Sequence, residues 1–214
     1  NLRRGRPTSH VVYGEGVAIL AGDALLTHAF ELLARHPPNE SFGNNERRLL
    51  ALGRLAEAAG ADGMVGGQVL DIRTTGAEQE NGEAEGPAST TSELREIHER
   101  KTGALICAAA GTGAVLAGGS REIVAAIEAY AAHLGLAFQI IDDILDVEGS
   151  AEELGKTAGK DAAFSKPTYP MLYGLRRSRE LATEAVLAAQ QALADAGLSG
   201  PLHEIANWVV TRNH

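Results

Sequence analysis

The sequence holds a single cysteine, Cys107, among 214 residues, so no internal disulfide can form and the usage fits a reducing compartment. Aromatics supply only 4% of the chain, which leaves small aliphatic side chains to build the core. Clusters of β-branched residues are few while Ala and Leu abound, which argues for closely packed helices rather than sheet. Strand alternation and internal repeats are both lacking. No Lys/Arg-rich stripe offsets the net charge of −9, and such a surface repels nucleic acid and anionic membrane. No secretory signal is visible. The longest small-apolar run, Ala104 to Gly119, is interrupted by glycine and too short to span a bilayer.

What is present is helical periodicity. Apolar residues recur at helical spacing from about Gly14 to His36, where Pro37-Pro38 ends the run. Further helices are expected over about 45–59 and 62–72, the latter with Gly66-Gly67 permitting close helix contact. The stretch from Thr74 to Thr91 is acidic and Gly-rich and reads as a loop. Ser92 then looks like an N-cap, with Glu96 near the capping-box position, for a helix reaching about Leu116. Ser120 opens another, running to about Val147. Gly149 to Lys166 reads as a Gly- and Lys-rich loop, followed by helices over about 169–196 and 201–212. The pattern predicts one domain, a bundle of seven or eight helices.

The most informative segment is Gln139-Ile140-Ile141-Asp142-Asp143-Ile144-Leu145-Asp146. On a helix Asp142 and Asp146 lie one turn apart on one face, with Asp143 flanking them and Gln139 one turn earlier. Like charges this close repel, and a divalent cation with hard oxygen ligands, Mg²⁺ above all, would compensate. The competing reading is a solvated face opposite the apolar stripe of Ala137, Ile140, Ile141, Ile144 and Leu145. Against it, the face continues upward through Ala131, Ala132 and Gly135, small and uncharged where Lys and Glu would be normal.

Cations gather in three places. Arg3, Arg4 and Arg6 crowd a turn set by Gly5 and Pro7, and guanidinium groups bind phosphate oxygens bidentately. Lys101-Thr102-Gly103 stands where a charged segment becomes apolar, so Lys101 sits at the mouth of an apolar region. Gly155-Lys156-Thr157-Ala158-Gly159-Lys160-Asp161, with Lys166 beyond it, lacks P-loop spacing. Each stretch alone also reads as an ordinary charged surface, Lys101 as a snorkelling side chain. Together, carboxylates, cations and small apolar faces are what a ligand with a diphosphate head and a hydrocarbon tail requires. His10, His28, His133 and His203 have no metal-like spacing, and no Glu-x-x-His pair of a di-iron bundle occurs.

These motifs resemble, in order, those of the trans-type polyprenyl diphosphate synthases, such as farnesyl and geranylgeranyl diphosphate synthases. The resemblance is carried by Leu2-Arg3-Arg4-Gly5-Arg6-Pro7-Thr8, Gly16 to Leu25, Gly66-Gly67-Gln68-Val69-Leu70-Asp71, Lys101-Thr102-Gly103, Phe138-Gln139 with Asp142, Asp143 and Asp146, and Gly155-Lys156 through Asp161. It implies an all-α isoprenoid-synthase bundle around a central cavity. It also implies a prenyltransferase of isoprenoid biosynthesis, joining isopentenyl diphosphate to a dimethylallyl, geranyl or farnesyl diphosphate primer. By position, Asp142, Asp143 and Asp146 would bind Mg²⁺, at about three ions per site. Lys101 and Lys156 would hold the allylic diphosphate with help from Arg3, and Arg4 would bind isopentenyl diphosphate. Thr102 and Gln139 would line the site near the developing cation. Gln68, Asp71 and Lys166 would lie near substrate. Arg212 resembles a C-terminal basic residue that closes over isopentenyl diphosphate, with a plain surface arginine as the competing reading.

The resemblance further implies a homodimer, and the single cysteine and the short apolar run add the expectation of a cytoplasmic protein with no membrane span. The family's first aspartate-rich motif lies just ahead of the Leu-Arg-Arg-Gly stretch, whereas this sequence opens on Asn1. The expectation is that the intact protein carries that motif upstream and that these residues alone are incomplete for catalysis. A terpene cyclase and a non-catalytic partner subunit of a synthase stand as alternatives.

Overall fold

The computed structural model describes residues 1–3, 5–35, 44–74, 91–148 and 167–212. Within them the architecture is all-helical apart from one minimal hairpin. Strands β1 (Leu2–Arg3) and β2 (Arg6–Pro7) pair antiparallel, with Leu2 opposite Pro7 and Arg3 opposite Arg6. Gly5 takes the left-handed backbone (φ 71°) that the tight connection demands. The turn expected at Gly5 and Pro7 is therefore part of a hairpin, fastened where the Thr8 N–H and hydroxyl both donate to the Asn1 carbonyl, at 3.0 and 3.2 Å.

Nine α-helices follow among the described residues: α1 (Ser9–Tyr13), α2 (Glu15–Arg35), α3 (Asn44–Ala59), α4 (Met64–Thr74), α5 (Thr91–His98), α6 (Ala104–Leu116), α7 (Arg121–Glu148), α8 (Tyr169–Asp195) and α9 (Pro201–Thr211). The helix expected from Ser92 to Leu116 is not uniform. It starts at Thr91, so Ser92 lies inside it, and a π-helical turn at Glu99–Gly103 separates α5 from α6. A π-turn inserted between α-helical turns frequently marks a functional site. At α7 the expected cap is present: the Ile123 N–H points to the Ser120 hydroxyl at 3.4 Å. Thr168 caps α8 by accepting from the Met171 N–H at 3.3 Å, and Gly174 (φ 76°) breaks that helix after its first turn.

Helix α7 is the axis of the core. Its stripe of Ala137, Ile140, Ile141 and Ile144, at 0–7% exposure, packs with Leu94 of α5 and with Ala182, Val186, Ala189 and Leu193 of α8. Replacing Leu94 or Ile140 by Ala would cost about 2–5 kcal/mol through lost burial and the cavity left. Tyr130 of α7 donates to the Leu202 carbonyl at 2.8 Å, and Gln190 of α8 donates to Asn207 at 2.8 Å. These bonds, with buried Ala206 and Val209, dock α9 across α7 and α8 and bring the chain end to the aspartate helix.

Two helices, Glu15–Arg35 and Arg121–Glu148, are long and apolar enough to cross a membrane by length and composition alone. The expectation of no span considered only the run at 104–119, so these helices correct its basis. Much of α7 is core, whereas α2 buries none of its residues. Val17, Ile19, Leu20 and Leu25 of α2 are 55–71% exposed.

Small residues set the closest helix approaches. A Cβ built on Gly67 of α4 would collide with the backbone of Lys101, 2.7 Å from its Cα. One built on Gly135 of α7 would lie 3.2 Å from Gly103 Cα. Gly67→Ala must therefore push α4 off the π-turn, and we expect it to lower unfolding stability in urea by about 1–3 kcal/mol, the usual cost of overpacking. An unchanged urea midpoint would contradict this packing.

Candidate functional site

Helix α4 addresses the π-turn twice. Gly67 meets the Lys101 backbone, and one turn later the Asp71 carboxylate forms an ion pair with the Lys101 ammonium. Asp71 is buried, its side chain only 10% exposed, while that of Lys101 is 29% exposed. The lysine is thus held rather than waving in solvent, and Asp71 acts first as its counter-ion. Gln68, the other candidate on α4, is exposed beside them. Thr102 follows Lys101 on the π-turn and is half-buried.

The same turn ends at Gly103, which touches Gly135 of α7. From Gly135 the face runs up α7 through Gln139, half-buried, to Asp142 and Asp146. Seven residues separate Gly135 from Asp142, roughly 10 Å of helix. Ala131 and Gly135 on this face are buried against neighbours, whereas Ala132 is exposed. The structure thereby brings Lys101, Thr102, Gln139, Asp142 and Asp146 onto adjoining surfaces.

Arg212, just past α9, is not a plain surface arginine. Its side chain is 2% exposed, and its guanidinium lies 3.9 Å from the centroid of the Phe138 ring. Its Nη2 donates to the Phe138 carbonyl and to Asp142 Oδ1, both at 3.1 Å. Among the described residues its buried Nε has no hydrogen-bond partner, a donor left over for a further acceptor. Asp142 remains 48% exposed, so it faces solvent on one side and a fixed cation on the other.

Asp143 points to different company. Its Oδ2 accepts the Tyr169 N–H at 2.9 Å, and its Oδ1 lies 3.8 Å from His98 Nε2. Burial pushes the Tyr169 phenol up to about 12, so that ring stays neutral. Neither His98 nor Tyr169 was among the residues expected from sequence. The signal was there for His98, which falls one turn after Leu94 on the buried face of α5, immediately ahead of the π-turn.

Arg3 is exposed on the hairpin, where its backbone pairs with Arg6, and its side chain makes no hydrogen bond or ion pair among the described residues. Arg4, Lys156 and Lys166 lie outside the described residues. A cavity of about 270 Å³ between α3, α6 and α7 is lined by Arg54, Asp62, Cys107 and Glu128 among others, and by none of the expected site residues.

As a metal set, Asp142 and Asp146 offer hard oxygens one helical turn apart. Among the described residues no group of three His, Cys, Asp or Glu side chains is arranged as a complete metal site. Mg²⁺ usually takes one or two carboxylates and fills the remaining positions with water and substrate phosphate, so this pair fits Mg²⁺ in that role.

The polyprenyl synthetase family profile matches residues 1–196. The whole chain aligns at 44% identity with a geranylfarnesyl diphosphate synthase of Leucosceptrum canum, of which it spans 56%. It aligns at 43% identity with a farnesyl diphosphate synthase of Geobacillus stearothermophilus, of which it spans 68%. A Helicobacter pylori geranyltransferase, solved with magnesium and isoprenyl diphosphate, superposes over 98% of this chain and 64% of its own, with TM-score 0.77 and 31% identity. The fold is thus the all-α bundle of isoprenyl diphosphate synthases. The chain belongs to the polyprenyl synthetase family, and it spans little more than half of some of the curated relatives it matches.

Lys101→Ala would deprive the buried Asp71 carboxylate of its cation. Removing one partner of a buried pair typically costs 3–5 kcal/mol, and the part-exposed lysine reduces that here to about 1–3 kcal/mol. Urea unfolding of Lys101→Ala, Asp71→Ala and the double variant measures it. The double variant is expected to lose less than the two singles summed, and strict additivity would deny the pair.

Proposed function

We propose that the intact protein is a prenyltransferase that joins an allylic diphosphate to isopentenyl diphosphate and releases a longer all-trans prenyl diphosphate. The observation that carries this reading is the adjacency of the Lys101 turn to the Asp142 and Asp146 face of α7, made through the Gly103–Gly135 contact. One cationic and one metal-ligating surface so arranged suit a single diphosphate gripped from two sides.

In this reading Lys101, held by Asp71, supplies preorganised positive charge where the allylic C–O bond breaks and the leaving diphosphate gains charge. Asp142 and Asp146 would hold Mg²⁺, about three ions per site in the intact enzyme, which neutralises the diphosphate and makes it a better leaving group. Thr102 and Gln139 would present oxygen dipoles to the allylic cation, while the apolar residues of α6 shield it from water. The alkene of isopentenyl diphosphate then attacks the cation, and loss of a proton from the new chain restores the double bond. The released diphosphate is a sufficient base. Arg3, Arg4, Gln68, Lys156, Lys166 and Arg212 are proposed to contact the two diphosphates.

We further read the protein as a cytoplasmic homodimer. The support is α2, whose exposed Val17, Ile19, Leu20 and Leu25 form an apolar surface of the kind that a second copy covers. The cyclase reading, with a single substrate, leaves the cationic Leu2 to Thr8 stretch without a purpose. The partner-subunit reading leaves the Asp142 and Asp146 pair without one.

The test is an assay of the intact protein with radiolabelled isopentenyl diphosphate, Mg²⁺ and allylic primers of several lengths. Elongated linear diphosphates are expected, with turnover of Asp142→Ala reduced by at least about 100-fold. A cyclic hydrocarbon made from one substrate, or full activity in Asp142→Ala, would refute the reading.

A further inference from the structure

His98, Asp143 and Tyr169 form a buried junction to which the reaction above gives no role. The three residues come from α5, α7 and α8. The side chains of His98 and Asp143 are 6% and 13% exposed. The His98 and Tyr169 rings stack with centroids 5.7 Å apart, and Tyr169 stacks in turn on Tyr173 at 5.9 Å. The Tyr173 hydroxyl donates to the Thr91 hydroxyl at 2.6 Å, closing the junction back onto the start of α5. Within it, one Asp143 oxygen accepts the Tyr169 N–H and the other lies beside His98 Nε2.

Asp142 and Asp143 are neighbours in sequence but roughly 100° apart around the helix. They answer to opposite sides: Asp142 is half-exposed and meets α9 through Arg212, whereas Asp143 is enclosed between α5 and α8. Asp143 holds the N–H of Tyr169, a residue 4% exposed, and turning its carboxylate away from α5 and α8 into the cleft would leave that buried donor unsatisfied. Asp142, by contrast, is 48% exposed on its open side while it holds Arg212.

We propose that Asp143 is a positioning residue and not a metal ligand. Together with His98 it fixes the rotation of α7, so that Asp142 and Asp146 present their carboxylates to the cleft. His98 also leads directly into the π-turn carrying Lys101, so the same junction sets the separation between that cation and the two carboxylates. The inference rests on the metal and diphosphate reading of the site proposed above.

Mn²⁺ binding in the presence of inorganic diphosphate, followed by electron paramagnetic resonance on the intact protein, separates the roles when paired with thermal unfolding. An Asn side chain keeps a carbonyl oxygen for the Tyr169 N–H, so Asp143→Asn should hold its Mn²⁺ affinity within about threefold of the parent and keep its melting temperature. Asp143→Ala and His98→Ala should both melt several degrees lower. Asp142→Asn should weaken Mn²⁺ at least about tenfold without a comparable fall in melting temperature. Equal weakening in Asp143→Asn and Asp142→Asn, with melting unchanged, would make Asp143 a ligand and overturn this inference alone. An unmoved melting temperature in His98→Ala would overturn it as well. Undiminished Mn²⁺ binding in Asp142→Asn would instead remove the metal reading itself, and the inference with it.

Discussion

Backbone contact at two glycines governs the site. Gly67 lets α4 rest on the Lys101 backbone, and Gly135 lets α7 rest on Gly103. A side chain at Gly67 would hold the π-turn off α4, because the obstruction is main chain and cannot rotate aside, while one at Gly135 would tighten the contact with Gly103 and Ile106. The Asp71–Lys101 pair forms across the first contact. The Gln139, Asp142 and Asp146 face continues from the second. An Ala-rich, aromatic-poor sequence is the compositional expression of this constraint, since helices can approach so closely only where side chains are small.

Charge is managed locally on both sides. Lys101 has the buried Asp71 as counter-ion, and Asp142 has the buried Arg212. Each opposed partner is fixed by its own element, so Lys101 and Asp142 are both held in place by contacts within the protein. Preorganisation of this kind is the main way a protein stabilises charge that develops during a reaction. The docking of α9, through Tyr130 and Gln190, is what delivers Arg212 to its place. Helix α9 is therefore part of the site's construction.

Helix boundaries were legible because their signals are local. Ser120 before α7 and Pro201 at the start of α9 are chemical punctuation readable without a fold. The stripe Ala137, Ile140, Ile141 and Ile144 also announced its buried face by spacing alone. The π-turn was not legible, because an extra residue per turn leaves no mark in the residue types of Glu99-Arg100-Lys101-Thr102-Gly103. The roles of Asp142, Asp143 and Arg212 were hidden for a different reason. Spacing groups Asp142 with Asp143 as one acidic cluster, while their partners Arg212, His98 and Tyr169 come from segments 26–70 residues away. Only the packing of α5, α8 and α9 against α7 separates a half-exposed carboxylate from an enclosed one.

The most direct test of a shared cleft is a crystal structure of the intact protein with Mn²⁺ and inorganic diphosphate, read by anomalous scattering. The account predicts a manganese peak about 2.1 Å from an Asp142 oxygen, with the same diphosphate reaching the Lys101 ammonium. Manganese bound away from α7, or a diphosphate that touches the aspartates without approaching Lys101, would contradict it.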